Sequence, residues 1–221
     1  MRKIKAIIFD MDGVIFDSES VWKTVFTEAN ERFGLQLDES YRQSTCGKSE
    51  KAIREELIQH IPTLNVDEYR DYILKGVASR IASGMFAVKQ GFLELISFAR
   101  RYHYRVALAT SSQRQRAENM FLCKGMDEKK IFDVCIYGED VGIKGKPNPY
   151  IFELAAQRMG VRSDECVVLE DSINGIKAAA DGGFIPIMTV DLIAPDEYCL
   201  GKCKAIVNNL SSVIEYLENE E

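Results

Sequence analysis

Two carboxylates stand two residues apart in Asp10-Met11-Asp12-Gly13-Val14, directly after the apolar run Ala6-Ile7-Ile8-Phe9. Such a run reads as a strand buried on both faces, and open parallel sheets bind ligands outside the carboxyl ends of their strands. The pair therefore stands where a nucleophile and a proton carrier are useful, and Gly13 permits the sharp turn that follows. A solvated Asp-Gly turn would need the same residues, so the pair has to be weighed with the rest of the chain. Val106-Ala107-Leu108-Ala109 leads into Thr110-Ser111-Ser112, Cys166-Val167-Val168-Leu169 leads into Glu170-Asp171, and Lys146 lies in Gly145-Lys146-Pro147-Asn148-Pro149. Taken singly, each group fits a helix cap or a loop charge. Together, acids, a hydroxyl and an ammonium converging at strand ends can hold a divalent cation beside a phosphoryl group. Oxygen ligands without histidine favour Mg²⁺ over zinc or copper.

These groups need a scaffold, and the remaining pattern supplies one. Short apolar runs alternate with helical spacing, which predicts parallel strands joined by crossover helices. Strands are predicted at 4–9, 105–109, 132–137, 166–169, 184–188 and 205–207. Helices are predicted over Gln113–Lys124, from Pro149 to Met159 with Gly160 closing it, and from Ser172 through Asp181, whose Gly175, Ala178 and Ala179 suit close packing on a sheet. Residues 18–84 differ, since they hold amphipathic helices and no convincing strand. Ser18 is predicted to cap a helix that carries Trp22, Val25, Phe26, Ala29 and Phe33 at three- and four-residue spacing, and further helices fit Ser49–His60 and Val66–Ser83. An ordinary crossover needs far fewer residues. The expected architecture is therefore an α/β core from residues 1–17 and 85–221 with an all-helical cap, 18–84, inserted into it.

Bulk properties narrow the chemistry. The 221 residues, 46% of them hydrophobic, can fill a sizeable core. The net charge of -6, with Lys and Arg scattered, argues against nucleic acid as a partner. The start Met1-Arg2-Lys3 precedes an apolar stretch too short for a secretory signal, and no run approaches a membrane span. Six cysteines without a Cys-x-x-Cys pair suit reduced thiols and a cytoplasmic setting, with Cys199 and Cys203 the one pair open to question. His60 and His103 are the only histidines, which rules out a histidine metal cluster and argues against a Ser-His-Asp triad. The chemistry is expected to run on carboxylates, hydroxyls and amines.

The four motifs, in order Asp10-Met11-Asp12-Gly13-Val14, Thr110, Lys146 in Lys-Pro-Asn-Pro, and Glu170-Asp171-Ser172-Ile173-Asn174-Gly175, resemble the haloacid dehalogenase superfamily of phosphotransferases. The resemblance covers nearly the whole chain and points to the subgroup related to β-phosphoglucomutase and small sugar-phosphate phosphatases. It implies a Rossmann-like core with a helical cap inserted after the first motif. It also implies that Asp10 is the nucleophile, forming an aspartyl-phosphate, and that Asp12 protonates the leaving oxygen and later activates water. Mg²⁺ would then be held by Asp10, the main-chain carbonyl of Asp12, Glu170 and Asp171. Thr110 and the amide of Ser111 would bind phosphoryl oxygens, and Lys146 would hold the same phosphate and offset the nucleophile's charge. A dehalogenase has no leaving alkoxide to protonate and needs no Mg²⁺, so Asp12 with Asp171 speaks for phosphoryl transfer.

Within that subgroup, the loop at Gly47 would close over substrate, and a mutase would need basic residues on both sides of the glycine. Cys46 precedes Gly47 and Lys48-Ser49-Glu50 follow it. Trp22 stands where the mutase would place a histidine that restrains hydrolysis. Lys48 could still bind a sugar or phosphate oxygen, although a solvated lysine needs no ligand. A receiver-like phosphorylation switch shares the aspartate, hydroxyl, lysine and Mg²⁺, but its acceptor stands alone on a mid-chain strand without a cap. The expectation is a monomeric, cytoplasmic, Mg²⁺-dependent phosphatase of small phosphorylated metabolites, sugar or polyol monophosphates, with a phosphosugar mutase as the alternative.

Overall fold

A computed structural model of the chain describes residues 4–45, 49–191 and 194–220. Six parallel strands, β1 (Ala6–Phe9), β4 (Arg105–Ala109), β5 (Val134–Ile136), β6 (Cys166–Glu170), β7 (Ile185–Thr189) and β8 (Ala205–Val207), form one sheet in the order β5-β4-β1-β6-β7-β8. The chain moves outward from β1 through β4 to β5, then restarts at β6 on the other side. β1 therefore lies at the topological switch point, where a crevice opens at the strands' carboxyl ends. The register aligns Phe9 with Leu108 on one side and Leu169 on the other.

Both faces of the sheet are covered, which is why its central strands read as unbroken apolar runs. Ala6, Ile8, Ala107, Ala109, Cys166 and Val168 share one buried face with Ile151, Phe152 and Ala155 of the helix Tyr150–Met159. Ala178 and Ala179 of the helix Ile173–Asp181 join the same cluster, small enough to bring that helix close. From the alternate face, Phe9 packs edge-on against Phe92 and Phe132 at centroid distances of 5.9 and 5.8 Å. Burial of one such phenyl ring contributes on the order of 1.5–3 kcal/mol.

The chain divides into two compact units, one of Met1–Asp17 with Ala87–Glu221 and one of Ser18–Phe86. The first contains the sheet and also a two-stranded antiparallel ribbon, β2 (Phe16–Asp17) with β3 (Ala87–Val88), at the two points where the chain passes to the second unit and back. The second unit holds α1 (Glu19–Phe33), α2 (Glu39–Ser44), α3 (Glu50–His60) and α4 (Val66–Ala82). Val21, Val25, Phe26 and Ala29 of α1 and Tyr69, Ile73, Val77 and Ile81 of α4 supply its buried residues. Gly76 lets these two helices approach, because a Cβ there would stand 2.8 Å from Val25 Cγ1.

Several local details differ from the sequence reading. Ser18 occupies the N-cap position of α1 but lies in the right-handed helical region and makes no side-chain cap bond, whereas Ser49 caps α3 by accepting from the Ala52 amide at 3.2 Å. The helix α2 and the ribbon β2-β3 were not anticipated. β5 is shorter than 132–137, since the Asp133 carboxylate takes the ladder position opposite Val106 N at 2.8 Å.

Candidate active site

Strand geometry carries the predicted groups to one place. Asp10 follows β1 directly, its amide donating to Leu169 O at 3.0 Å, and it is 7% exposed. Lys146 Nζ reaches Asp10 Oδ1 and Glu170 Oε1, each at 2.5 Å, and also faces Ala109 O at 3.4 Å. The ends of β1, β4 and β6 thus share one ammonium. Its position is backed by the Phe152 ring, 5.0 Å from Nζ to centroid.

Glu170 is 1% exposed, and its two oxygens have different tasks. Oε1 pairs with Lys146, whereas Oε2 accepts from the amides of Asp171 and Ser172 and from Ser172 Oγ, at 2.9–3.1 Å. The same Ser172 Oγ caps the helix Ile173–Asp181 by accepting from Gly175 N at 3.0 Å. Gly175 is required here, since a Cβ would lie 1.9 Å from Glu170 Cδ. Gly13, at φ 77, does the same for Asp171, whose Oδ2 lies 2.1 Å from where a Cβ would stand.

The electrostatics are unbalanced. Burial, then repulsion from Glu170 and Asp12, pushes the Asp10 carboxyl up to about 7 against the opposing pull of Lys146. Burial, then Glu170, Asp10 and Asp191, holds Asp171 well above the usual carboxylate range. Burial works against the charge on Lys146, and Asp10 and Glu170 more than offset it, so its ammonium is held charged. One ammonium among the buried Asp10 and Glu170 and the half-buried Asp171 leaves negative charge that a hard divalent cation would neutralise, and the donors are oxygens throughout. The site's chemistry therefore fits Mg²⁺.

Among the described residues no three His, Cys, Asp or Glu side chains are gathered into a ready-made metal cluster. The reason is charge pairing: Lys146 bridges Asp10 and Glu170, and the Asp12 carboxylate lies in the fork of Arg116, with Nη1 to Oδ2 at 2.6 Å and Nη2 to Oδ1 at 2.7 Å. Ser112 Oγ also donates to Asp12 Oδ2 at 3.0 Å. Ser112 and Arg116 were not singled out from the sequence: Ser112 lies in the turn before the helix Arg114–Cys123, and Arg116 stands in that helix's first turn. Lys89 and Asp191, bonded at 2.6 Å, were missed as well. Asp191 Oδ2 is buried without a hydrogen-bond partner among the described residues.

Thr110 is buried, and its Oγ1 accepts from Ser112 N at 3.0 Å, which shapes the turn after β4. Ser111 is exposed, and its carbonyl lies so near Gly138 that a Cβ there would stand at 2.3 Å. Trp22 belongs to the helical unit, where it lines a cavity of about 310 Å³. Gly47 and Lys48 lie outside the described residues. Cys199 and Cys203 are both free thiols, so the questioned pair forms no disulfide.

Residues 4–183 match the family model for haloacid dehalogenase-like hydrolases. The chain belongs to that family. A phosphorylated carbohydrates phosphatase of Thermotoga maritima is 30% identical over 223 residues, covering 96% of this chain and 100% of that protein. A fructose-1-phosphate phosphatase of Escherichia coli is 31% identical over 184 residues, covering 82% of this chain and 94% of its own. Among solved structures, CbbY from Rhodobacter sphaeroides in complex with phosphate superposes with a TM-score of 0.72 at 26% identity, covering 95% of this chain and 96% of that one. Among the described residues no helix of this family member is long and apolar enough to cross a membrane.

Proposed function

We propose that this phosphoric monoester hydrolase is a cytoplasmic, Mg²⁺-dependent phosphatase of small phosphorylated metabolites, sugar or polyol monophosphates, working through an aspartyl-phosphate on Asp10. The observation that carries the reading is the single Lys146 ammonium shared by Asp10 and Glu170 at 2.5 Å, beside Asp171. A carboxylate nucleophile attacks a phosphate dianion only where charge is neutralised, and Lys146 supplies one positive charge at the attacking oxygen. Asp10, Glu170 and Asp171, with the main-chain carbonyl of Asp12, would hold Mg²⁺, which when bound supplies the remaining charge neutralisation.

Asp10 Oδ attacks phosphorus, and the leaving oxygen takes a proton from Asp12. The Asp12 carboxylate then draws a proton from the water that attacks the aspartyl-phosphate, returning Asp10. General acid-base help of this kind contributes roughly 10²–10⁴-fold. Thr110 Oγ1 and the Ser111 amide hold phosphoryl oxygens, and the helical unit selects the substrate through Trp22 and the loop with Gly47 and Lys48. The phosphatases named among the relatives support this reading over a mutase, as does Cys46 standing where a mutase would need a basic residue before Gly47.

A screen of phosphorylated metabolites for phosphate release, with Mg²⁺ and with EDTA, tests it. At least one hexose or polyol phosphate should release free phosphate in Mg²⁺ alone. Asp10→Asn should abolish turnover, by more than about 10³-fold, with an unchanged circular dichroism spectrum, because the near-isosteric amide cannot attack. Conversion of β-glucose 1-phosphate to glucose 6-phosphate without phosphate release would show a mutase instead.

A further inference from the structure

β4 and β5 pair as far as Ala109 opposite Ile136, and beyond that point their continuations stay side by side. Thr110 N donates to Ile136 O at 3.0 Å, and Gly138 N donates to Ser112 O at 3.0 Å. Arg114 N donates to both carboxylate oxygens of Glu139, at 3.2 and 3.0 Å. Every second residue of the turn after β4, namely Thr110, Ser112 and Arg114, is thus tied to the segment 136–139. That segment lies outside the four sequence motifs.

Two residues of that segment do more than extend the pairing. The helix Arg114–Cys123 has Gln113 at its N-cap without a side-chain cap bond, and no acid in its first turn. Its first amide is left to Glu139, whose negative charge also suits a helix N-terminus. Glu139 is exposed, so core packing does not account for its place there. Gly138 acts by what it lacks: a Cβ would stand 2.3 Å from Ser111 O, 3.1 Å from Ser111 C and 3.5 Å from Ser112 O. Those are main-chain atoms, which cannot swing aside as the end of a side chain can. The Ser111–Ser112 peptide therefore rests on the Gly138 backbone, and because a peptide is planar its N–H is fixed with it. That N–H is the Ser112 amide, which donates to Thr110 Oγ1 at 3.0 Å, while Ser112 Oγ donates to Asp12 Oδ2 at 3.0 Å.

We infer that Gly138 and Glu139 are positioning residues for phosphoryl transfer, holding the turn Thr110–Ser112 in the conformation that receives phosphoryl oxygens and presents Ser112 to Asp12. The inference rests on the phosphatase reading above and deepens it by adding two residues outside the four motifs. Donors stabilise a transition state only as well as they are aimed, and a displacement of about 1 Å costs up to about 10²-fold. Gly138 sets the plane of the peptide, and Glu139 fixes where the turn ends and the helix begins.

The test measures kcat and KM for p-nitrophenyl phosphate in Mg²⁺, and the inhibition constant of orthovanadate, a mimic of phosphorus in the transition state, in wild type, Gly138→Ala, Glu139→Ala and Glu139→Gln. The two alanine variants should each lower kcat and weaken orthovanadate binding by about 10-fold or more, with a smaller change in KM. Glu139→Gln should come within about 2-fold of wild type, because its amide oxygen still accepts from Arg114 N. A Glu139→Ala protein whose Tm falls while its orthovanadate constant keeps the wild-type value would make Glu139 a helix cap alone and overturn the inference. So would a loss that Glu139→Gln does not restore, or an unchanged kcat in either alanine variant. Should Gly138→Ala fail to fold, as its circular dichroism spectrum would show, the two Glu139 variants decide. Wild type that releases no p-nitrophenol in Mg²⁺ overturns the phosphatase reading itself.

Discussion

At the scale of single residues, the pairing of Asp12 with Arg116 changes how the acid-base step has to be read. A carboxylate held in a two-pronged guanidinium fork is favoured in its charged form. That state serves the second half of the proposed reaction, in which Asp12 takes a proton from water, better than the first, in which it gives one. Substituting Arg116→Gln should therefore slow hydrolysis of the aspartyl-phosphate more than its formation. Acetyl phosphate has a leaving group that needs little protonation, so its turnover reports the second step. It should fall by about 10-fold in Arg116→Gln, within the range that acid-base help supplies. Burst kinetics would show intermediate accumulating, and equal loss in both steps would assign Arg116 a purely structural part. The types and spacing of Asp10, Asp12, Thr110, Lys146, Glu170 and Asp171 could be read from the sequence because each follows an apolar run or precedes a helix. Arg116 could not, since an arginine in the first turns of a helix looks the same whether it faces solvent or the carboxylate of Asp12, 104 positions away.

Among the elements, those with a clear period were legible and the short ones were not. The runs at 105–109 and 166–169 became β4 and β6 nearly residue for residue, because strands buried on both faces have no alternation to blur. The two-residue strands β2 and β3 have no period to detect. Helix α2 is six polar-rich residues, ESYRQS, whose one local signal is Asp38 accepting from Tyr41 N at 2.9 Å. β5 shows how a side chain edits an element. Asp133 accepts from Val106 N at 2.8 Å and from Arg100 Nη1 at 2.9 Å, fastening the edge of the sheet. Burial disfavours its charge, but the Val106 amide and Arg100 prevail and hold its carboxyl below the ordinary 3.8. A depressed native value means that its stabilising effect is present above the unfolded value and is lost as pH falls through the native one. Asp133→Asn should cost about 1 kcal/mol at neutral pH. The gap between variant and wild type should close below about pH 3.8. Urea denaturation across that range checks it, and a gap independent of pH would place the stabilisation elsewhere.

For the whole molecule, the sheet order explains why acids collect at one end and why the fold has to tolerate them. β1 sits between β4 and β6, so Asp10, Lys146, Glu170 and Asp171 meet at the switch point instead of spreading along an edge. Alternating apolar runs and helices made that convergence legible, whereas the electrostatic strain it creates depends on burial, which sequence does not state. Burial and mutual repulsion lift Asp10 to about 7 and Asp171 well above the ordinary 3.8. A carboxyl with a raised native value binds its proton more tightly folded than unfolded. Its contribution is therefore full below the unfolded value and is lost as pH rises through the native one. Metal-free protein should lose stability on this account between about pH 4 and about pH 7. Mg²⁺ competes with those protons, so the stabilisation it brings should grow over the same window. At about 100-fold excess over Kd, linkage gives about 2.7 kcal/mol, or a rise in Tm of about 5–10 °C for a chain of this length. Scanning calorimetry of EDTA-treated protein with and without Mg²⁺ should show most of that rise at about pH 8 and little at about pH 5. Asp171→Asn should flatten the pH dependence and shrink the rise, while zinc should substitute poorly at an all-oxygen site. A rise in Tm that is the same at both pH values would mean that these carboxylates do not bind the cation.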